Sequence, residues 1–269
     1  MDPYSLFGIE GITWTVLILI VLAAFAAGWV DAVIGGGGLV QLPVLLLIPG
    51  ISPISALATN KFASIFGTTT SAITYRRRTR TELRSILPMA AAALIGSAAG
   101  AALAALLPVA VIKPIVVVAL VAVAAFTAAR PDLGRTAVHV PVRAHQVPIG
   151  LAIGVVIGGY DGLIGPGTGA FLVFALVGLL GLDFLQASAK AKVVNVATNL
   201  GALAYFVPHG WVLWRLGLLL AAANLAGGYL GARTAISRGS SFVRAAFLVV
   251  SGALIAKLCW DTWGVALFG

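Results

Sequence analysis

Charge is what this sequence has least of. Of 269 residues, 17 are Lys or Arg and 8 are Asp or Glu, 9% in all, while 61% are hydrophobic. Soluble domains carry about 25% charged residues, so a water-facing surface cannot be made from this chain, and soluble enzymes and binding modules are excluded. The single cysteine, Cys259, excludes an internal disulfide and a cysteine-rich metal site, and leaves a buried packing role for that residue. Of the three histidines, His139 and His145 stand in the longest polar stretch and read as solvated loop. Neither a metal nor a cofactor is expected. No GxxxxGK[ST] phosphate loop occurs, which argues against energisation by ATP within this chain. The net charge of +9 would suit nucleic acid. Its arginines, however, crowd into short loops between apolar runs, as the cytoplasmic face of a bilayer requires, so the basicity reads as topology and no nucleic-acid partner is expected.

What is there is apolar sequence. Runs cover residues 12–34, 38–49, 54–75, 85–107, 110–129, 147–165, 168–182, 186–207, 213–236 and 242–265. At roughly 20 apolar residues per crossing, they imply an all-α polytopic membrane protein with about eight to ten transmembrane segments. Asp2 and Glu10 precede the first run without a basic residue, unlike a secretory signal peptide, so that run is expected to remain as a helix. The runs at 38–49 and 168–182 are short, and each follows a glycine cluster. A re-entrant hairpin and a pair of crossings would give the same parity there.

The two halves of the chain resemble each other. GWVDAVIGGGGLVQLP from Gly28 aligns with GGYDGLIGPGTGAFLV from Gly158, matching Asp31 with Asp161, Ile34 with Ile164, Gly35 with Gly165, Gly37 with Gly167 and Leu42 with Leu172. After a shift of one residue Lys61 aligns with Lys192, and Gly96 and Gly100 align with Gly227 and Gly231. The expected organisation is a first helical repeat over 1–129, a cytoplasmic connecting loop over 130–146 and a second repeat over 147–269. Arg76, Arg77, Arg78, Arg80 and Arg84 mark one loop as cytoplasmic. Arg130, Arg135 and Arg143 mark the central loop, and Arg233, Arg238 and Arg244 a third. Both termini are then predicted outside, where Trp14, Trp211, Trp214, Trp260 and Trp263 would form an interfacial belt. The arginine-rich loop after Tyr75 corresponds to the arginine-poor loop around His209, so the copies are expected to be inverted. Inverted five-helix repeats with glycine-broken helices are a plan of secondary transporters that bind substrate near mid-membrane.

Non-helical backbone inside a bilayer is tolerated only where protein or a watery cavity surrounds it. Gly35 to Gly38 and Gly165 to Gly169 read as such breaks, each helix restart aiming free N–H groups and the positive end of its dipole at the gap. Gly36, Gly37, Gly38, Gly167 and Thr168 are therefore candidate anion-binding positions. Close helix packing is the plainer role of glycine, and it is the one expected for the GxxxG pairs Gly96 with Gly100 and Gly227 with Gly231. Past each break, Lys61, Ser64 and Thr68, and again Lys192, Asn195 and Asn199, stand at i, i+3 and i+7 on one helix face. An intramembrane lysine faces a cavity or a partner unless its stem snorkels to the interface. The other polar residues of each stripe lie deeper, beyond such reach. Cationic ends, small hydrogen-bonding groups and broken helices together describe a site for a small oxyanion. Asp31 and Asp161, one turn before the breaks, are open to two roles: proton coupling through a raised pKa, or pairing and capping. Asp183 and Glu82 read as solvated.

These segments resemble the TauE/SafE family of sulfite exporters, also called sulfur-anion or toluene sulfonate uptake permeases. The likeness rests on GWVDAVIGGGGLVQLPVLLL with SALATNKFASIFGTTTSA, and on GGYDGLIGPGTGAFLVFAL with QASAKAKVVNVATN, and covers nearly the whole chain. It implies a bacterial inner-membrane permease or exporter for small anions, often sulfite or organosulfonates. Carried over by that resemblance, the family's glycine-rich motifs are Gly35 to Gly38 and Gly165 to Gly169, and its polar helix is represented by Thr59, Asn60 and Lys61 in one half and by Lys192, Asn195 and Asn199 in the other. Ala191 stands where the second half would repeat Asn60. The expected partners are a small anion and the lipid bilayer, with association of further copies of the chain left open. A scaffold would need neither the lysines nor the breaks, and an intramembrane aspartyl enzyme would not carry its aspartates as repeat copies beside glycine clusters.

Overall fold

The computed structural model describes residues 7, 12–79, 84–108 and 146–259. The apolar run at 110–129, most of the connecting loop, and Arg80, Glu82, His139, His145, Trp260 and Trp263 lie outside the described residues. The helices described are α1 (Trp14–Ile34), α2 (Gly38–Leu46), α3 (Pro53–Thr79), α4 (Leu87–Leu106), α5 (Gln146–Leu163), α6 (Thr168–Leu180), α7 (Phe184–Phe206) and α8 (Trp214–Cys259). One difference from the sequence expectation has a simple cause. The basic run Arg76 to Arg78 continues α3 as its last turn, where cations complement the helix dipole. Within α8 Gly239 takes φ 74° and separates two helical segments, as the separate runs starting at 213 and 242 lead one to expect, the second described as far as Cys259.

By length and composition α1 and α4 can cross a membrane; α5 and α6 are shorter apolar helices. The long helices α3 and α7 fall short in apolar content because their polar residues, buried as Asn60, Lys61, Thr68, Ser71, Lys192, Asn195 and Asn199, line the interior. Their outer faces carry Phe66, Ile73 and Leu200. Ile18, Leu19 and Leu22 on α1, Ile95 and Leu103 on α4, and Val155 and Val156 on α5 are likewise exposed, a surface suited to hydrocarbon rather than water.

Contacts set the directions of the helices. Gly227 and Gly231 on α8 meet Phe25 and Trp29 on α1 in ascending order, and Gly217 and Gly228 meet Phe62 and Gly67 on α3 in the same sense, so α1, α3 and α8 run parallel. In a second group Gly154, Gly158 and Gly162 on α5 meet Met89, Ala93 and Ser97 on α4. Lys190 Nζ donates to Ser85 Oγ, and Ser97 Oγ to the Thr198 carbonyl, bringing α7 alongside. Because α1 and α3 start at the same end, α2 is the return limb of a hairpin. At 1.5 Å per residue its nine residues cover only about 13 Å, less than half of a bilayer core.

The GxxxG glycines are packing surfaces. A Cβ on Gly96 would come 2.5 Å from the Val155 carbonyl oxygen, and one on Gly100 2.0 Å from that of Gly159. One on Gly227 would come 2.0 Å from the Phe25 carbonyl oxygen, and one on Gly231 2.5 Å from that of Trp29. Two apolar clusters fill the ends. Leu42 and Leu45 of α2 pack with Leu57, Phe206 and Leu216, whereas Leu172 and Leu176 of α6 pack with Val33, Tyr75 and Phe184.

Candidate functional site

At the first break Gly35 takes φ 82°; at the second Gly165 and Gly167 take φ 90° and 81°, conformations that cost a side chain about 1–2 kcal/mol. The two breaks cross. A Cβ on Gly35 would lie 2.3 Å from the Gly169 carbonyl carbon, one on Gly169 would lie 2.4 Å from Gly35 Cα, and the Ala170 amide donates to the Gly35 carbonyl at 3.2 Å. Packing and helix breaking are thus served by the same glycines. The crossing also consumes donors: the Thr168 amide turns to Gly165 O and that of Ala170 to Gly35 O, so these two N–H groups at the start of α6 do not point at the gap.

Both lysines are buried, Lys61 to 3% and Lys192 to 1% exposure, and neither snorkels. Lys61 Nζ stands 2.6 Å from Asp161 Oδ2. Lys192 Nζ stands 3.0 Å from Asp31 Oδ2 and also donates to the Asp31 backbone carbonyl. Each lysine therefore pairs with the aspartate of the opposite half. Asp31 Oδ2 further accepts from Thr68 Oγ1 at 3.1 Å. Since Thr68 is seven residues beyond Lys61, the two ion pairs are separated by roughly 10 Å along α3. The α3 stripe of Lys61, Ser64 and Thr68 thus runs from one pair to the other.

Between the pairs is a cavity with about 20 Å³ open to the centre of a water-sized sphere, room for roughly one water. Asn60, Lys61, Ser64 and Thr68 of α3 line it, with Asn195 and Asn199 of α7, and Asp31 and Asp161 close it. The breaks contribute Gly35, Gly38, Gly165, Thr168 and Gly169. Gly165 also leaves room for the ammonium, since a Cβ there would come 2.8 Å from Lys61 Nζ and push it aside. Asn60 Oδ1 is buried without a hydrogen-bond partner, a costly state for an acceptor in the interior.

Of the positions expected from sequence, Gly36, Gly37, Gly167 and Lys192 are not in the cavity wall. Gly37 faces back onto α1, its added Cβ 2.6 Å from the Ala27 carbonyl oxygen, and Gly36 faces Leu39. Gly167 caps α6, and Lys192 is taken up by Asp31. Asp183, expected to be solvated, caps α7, its Oδ1 accepting from the Gln186 amide at 2.9 Å. Supports missed from sequence surround the site. Tyr75 Oη donates to the Ala32 carbonyl at 3.0 Å, and Tyr160 Oη to the Pro166 carbonyl at 2.6 Å. Asn224 Nδ2 donates to Gln41 Oε1 at 2.8 Å and to the Ala24 carbonyl at 3.2 Å. The signal for Asn224 was available: an amide alone in an apolar run is costly in a membrane unless it has a task.

Residues 20–258 match the family described as "Sulfite exporter TauE/SafE". The chain is 35% identical over 252 residues to "Probable membrane transporter protein ORF9" of Sinorhizobium sp, covering 94% of this chain and 95% of that relative. It is 32% identical over 260 residues to "Probable membrane transporter protein YfcA" of Escherichia coli strain K12, covering 97% and 94%. A "Probable membrane transporter protein" of Haemophilus influenzae is 32% identical over 245 residues, covering 91% and 95%. No solved structure matches the chain.

Proposed function

The chain belongs to the sulfite exporter TauE/SafE family of membrane transporters, and from that premise we propose that it moves a small oxyanion, sulfite foremost, across a bacterial inner membrane by alternating access. The observation that carries this reading is the polar cavity between two Lys–Asp pairs, each pair joining the two halves of the chain. Among the described residues its wall offers an ammonium, amides, hydroxyls and the two paired carboxylates but no aromatic or aliphatic platform, which favours a compact inorganic anion over an organosulfonate with an apolar tail.

The halves, 1–129 and 147–269 about a linker at 130–146, act as inverted repeats in this reading. Two observations support it. The packing recurs at the sequence offset, since Phe25 and Trp29 meet Gly227 and Gly231 as Val155 and Gly159 meet Gly96 and Gly100. In addition, α3 ends where α4 begins, so the group of α1, α3 and α8 points against the group of α4, α5 and α7. Arg76, Arg77, Arg78, Arg84, Lys190, Arg233 and Arg238 gather toward one end, which the positive-inside rule makes cytoplasmic, with both termini outside. Rocking one group against the other would open the cavity first to one face and then to the other. Lys61, Asn60, Ser64, Asn195 and Asn199 bind the anion, with backbone from Gly38, while Thr68 holds the Asp31 carboxylate at the edge of the wall.

The test is flux into proteoliposomes of labelled sulfite, with sulfate, short sulfonates and carboxylates as competitors. Uptake above protein-free vesicles, inhibited most by the smallest oxyanions, is expected. Absence of flux for every one of these anions from well-folded protein overturns the reading.

A further inference from the structure

The two ion pairs are alike in sequence and unlike in surroundings. Lys192 does not reach the cavity wall: its ammonium is held by both the carboxylate and the backbone carbonyl of Asp31, and that carboxylate also accepts from Thr68. Lys61 does line the cavity, with the Asp161 carboxylate against it and the unpartnered Asn60 Oδ1 in the same wall. One pair is a closed node, and the other borders the space where an anion would sit.

Charge accounting then separates their tasks. With both pairs intact the cavity has no net charge, and an anion that takes the Lys61 ammonium must displace the Asp161 carboxylate. Two anions would then share one cation in a desolvated site, which like-charge repulsion and burial both disfavour. Adding one proton to Asp161 as the anion arrives restores neutrality: the proton comes from water on the open side, sits on the carboxyl oxygen, and leaves to water on the other side when Lys61 and Asp161 re-pair. Other ionisable groups near Asp161 cannot substitute. Asp31 on α1 and Lys192 on α7 are committed to each other; the Tyr160 phenol beside Asp161 on α5 donates to the Pro166 carbonyl, and that of Tyr75 on α3 donates to the Ala32 carbonyl. The second break adds Gly165 and Thr168 to the same wall as Asp161, and they bring no charge to the cavity.

We infer that Asp161 is the proton-carrying group of the transport cycle, releasing Lys61 to the anion when protonated, while the Asp31–Lys192 pair stays closed as a tie between the halves. The inference rests on the oxyanion-transport reading above. It makes anion and proton travel together, and it assigns unequal roles to two aspartates that occupy the same place in the repeat.

Sulfite flux in proteoliposomes with the membrane potential clamped tests it, protein-free vesicles serving as the blank. For wild type, an outside pH one unit below the inside should drive accumulation to about tenfold for one proton per univalent anion, as one pH unit is equivalent to a tenfold ratio. In Asp161→Asn the accumulation ratio should fall to near one while slow sulfite exchange stays detectable, and Asp161→Glu should restore the response to the pH gradient. Asp31→Asn should lower the yield of folded protein, with the surviving molecules keeping their response. An Asp161→Asn protein that still concentrates sulfite under the gradient overturns the inference. So does a wild-type protein that carries sulfite with no response to the gradient, a result obtained without any variant and one that leaves the transport reading standing. A wild-type protein that carries neither sulfite nor sulfate removes both.

Discussion

Lys61 Nζ lies 2.6 Å from Asp161 Oδ2, and the two residues come from different halves of the chain. Lys61 stands about two turns into α3 and Asp161 near the end of α5, so the contact ties together helices that share no connecting segment. Breaking a buried pair by removing one partner costs about 3–5 kcal/mol, because the other charge is left uncompensated. Lys61→Met and Asp161→Asn should each lower the unfolding temperature in detergent. The double variant, which leaves no orphan charge, should recover part of the loss. A double-mutant cycle read by thermal unfolding should give a coupling of about 0.5–3 kcal/mol, and strictly additive losses would contradict the pairing.

At the crossing of the breaks, neighbouring glycines should respond in opposite ways. Gly35→Ala meets the Gly169 backbone at 2.3 Å from a residue already at φ 82°, so folded yield from membranes should collapse. Gly36→Ala meets only the end of the Leu39 side chain at 3.1 Å, which can turn aside, and should leave yield and unfolding temperature near wild type. Monodispersity on size exclusion separates the two outcomes.

The α4–α5 interface offers a graded series. Gly100→Ala would drive a methyl to 2.0 Å from the Gly159 carbonyl oxygen, whereas Gly150→Ala reaches only the Met89 side chain at 3.9 Å. Thermal unfolding should show a loss of several degrees or more for the first and little for the second. Equal tolerance at both positions would mean that these helices are not in close backbone contact.

Much of this interior was legible in the sequence. The glycine breaks and the paired aspartates recur at one offset and the lysine-led stripes at that offset plus one, and the helices bring most of those positions to one cavity, Gly36, Gly37, Gly167 and Lys192 excepted. What periodicity could not give was the partner of each charge. Lys61 and Asp161 are 100 residues apart, and helix spacing says which face a residue is on, not which helix it faces. The fate of the free amides at the breaks was hidden for the same reason, because it is the other break that accepts from Ala170. Gln41 and Asn224 were passed over because neither has a polar counterpart in the other half: their repeat positions are held by Phe171 and Ala93.

The Gln41–Asn224 contact should itself be measurable. Replacing Asn224 with Ala removes the hydrogen bonds to Gln41 and to the Ala24 carbonyl. An unsatisfied buried group costs about 1–3 kcal/mol, and the loss should appear as a lower unfolding temperature. Asn224→Leu combined with Gln41→Leu should lose no more than Asn224→Ala alone if the amide of Gln41 is the group left stranded. A double variant that loses the sum of the two single losses would argue that each amide serves a separate contact.

The meeting of Gly35 with Gly169 also has a consequence for inheritance. Elsewhere in a packed interior a residue that grows can be accommodated by a neighbour that shrinks, and lineages drift through such exchanges. Where glycine is pressed on glycine nothing smaller is available, so a change on either side has no compensating change on the other. The two glycine-rich segments have therefore lost their independence at this point, and two positions 134 residues apart must be passed on together or not at all.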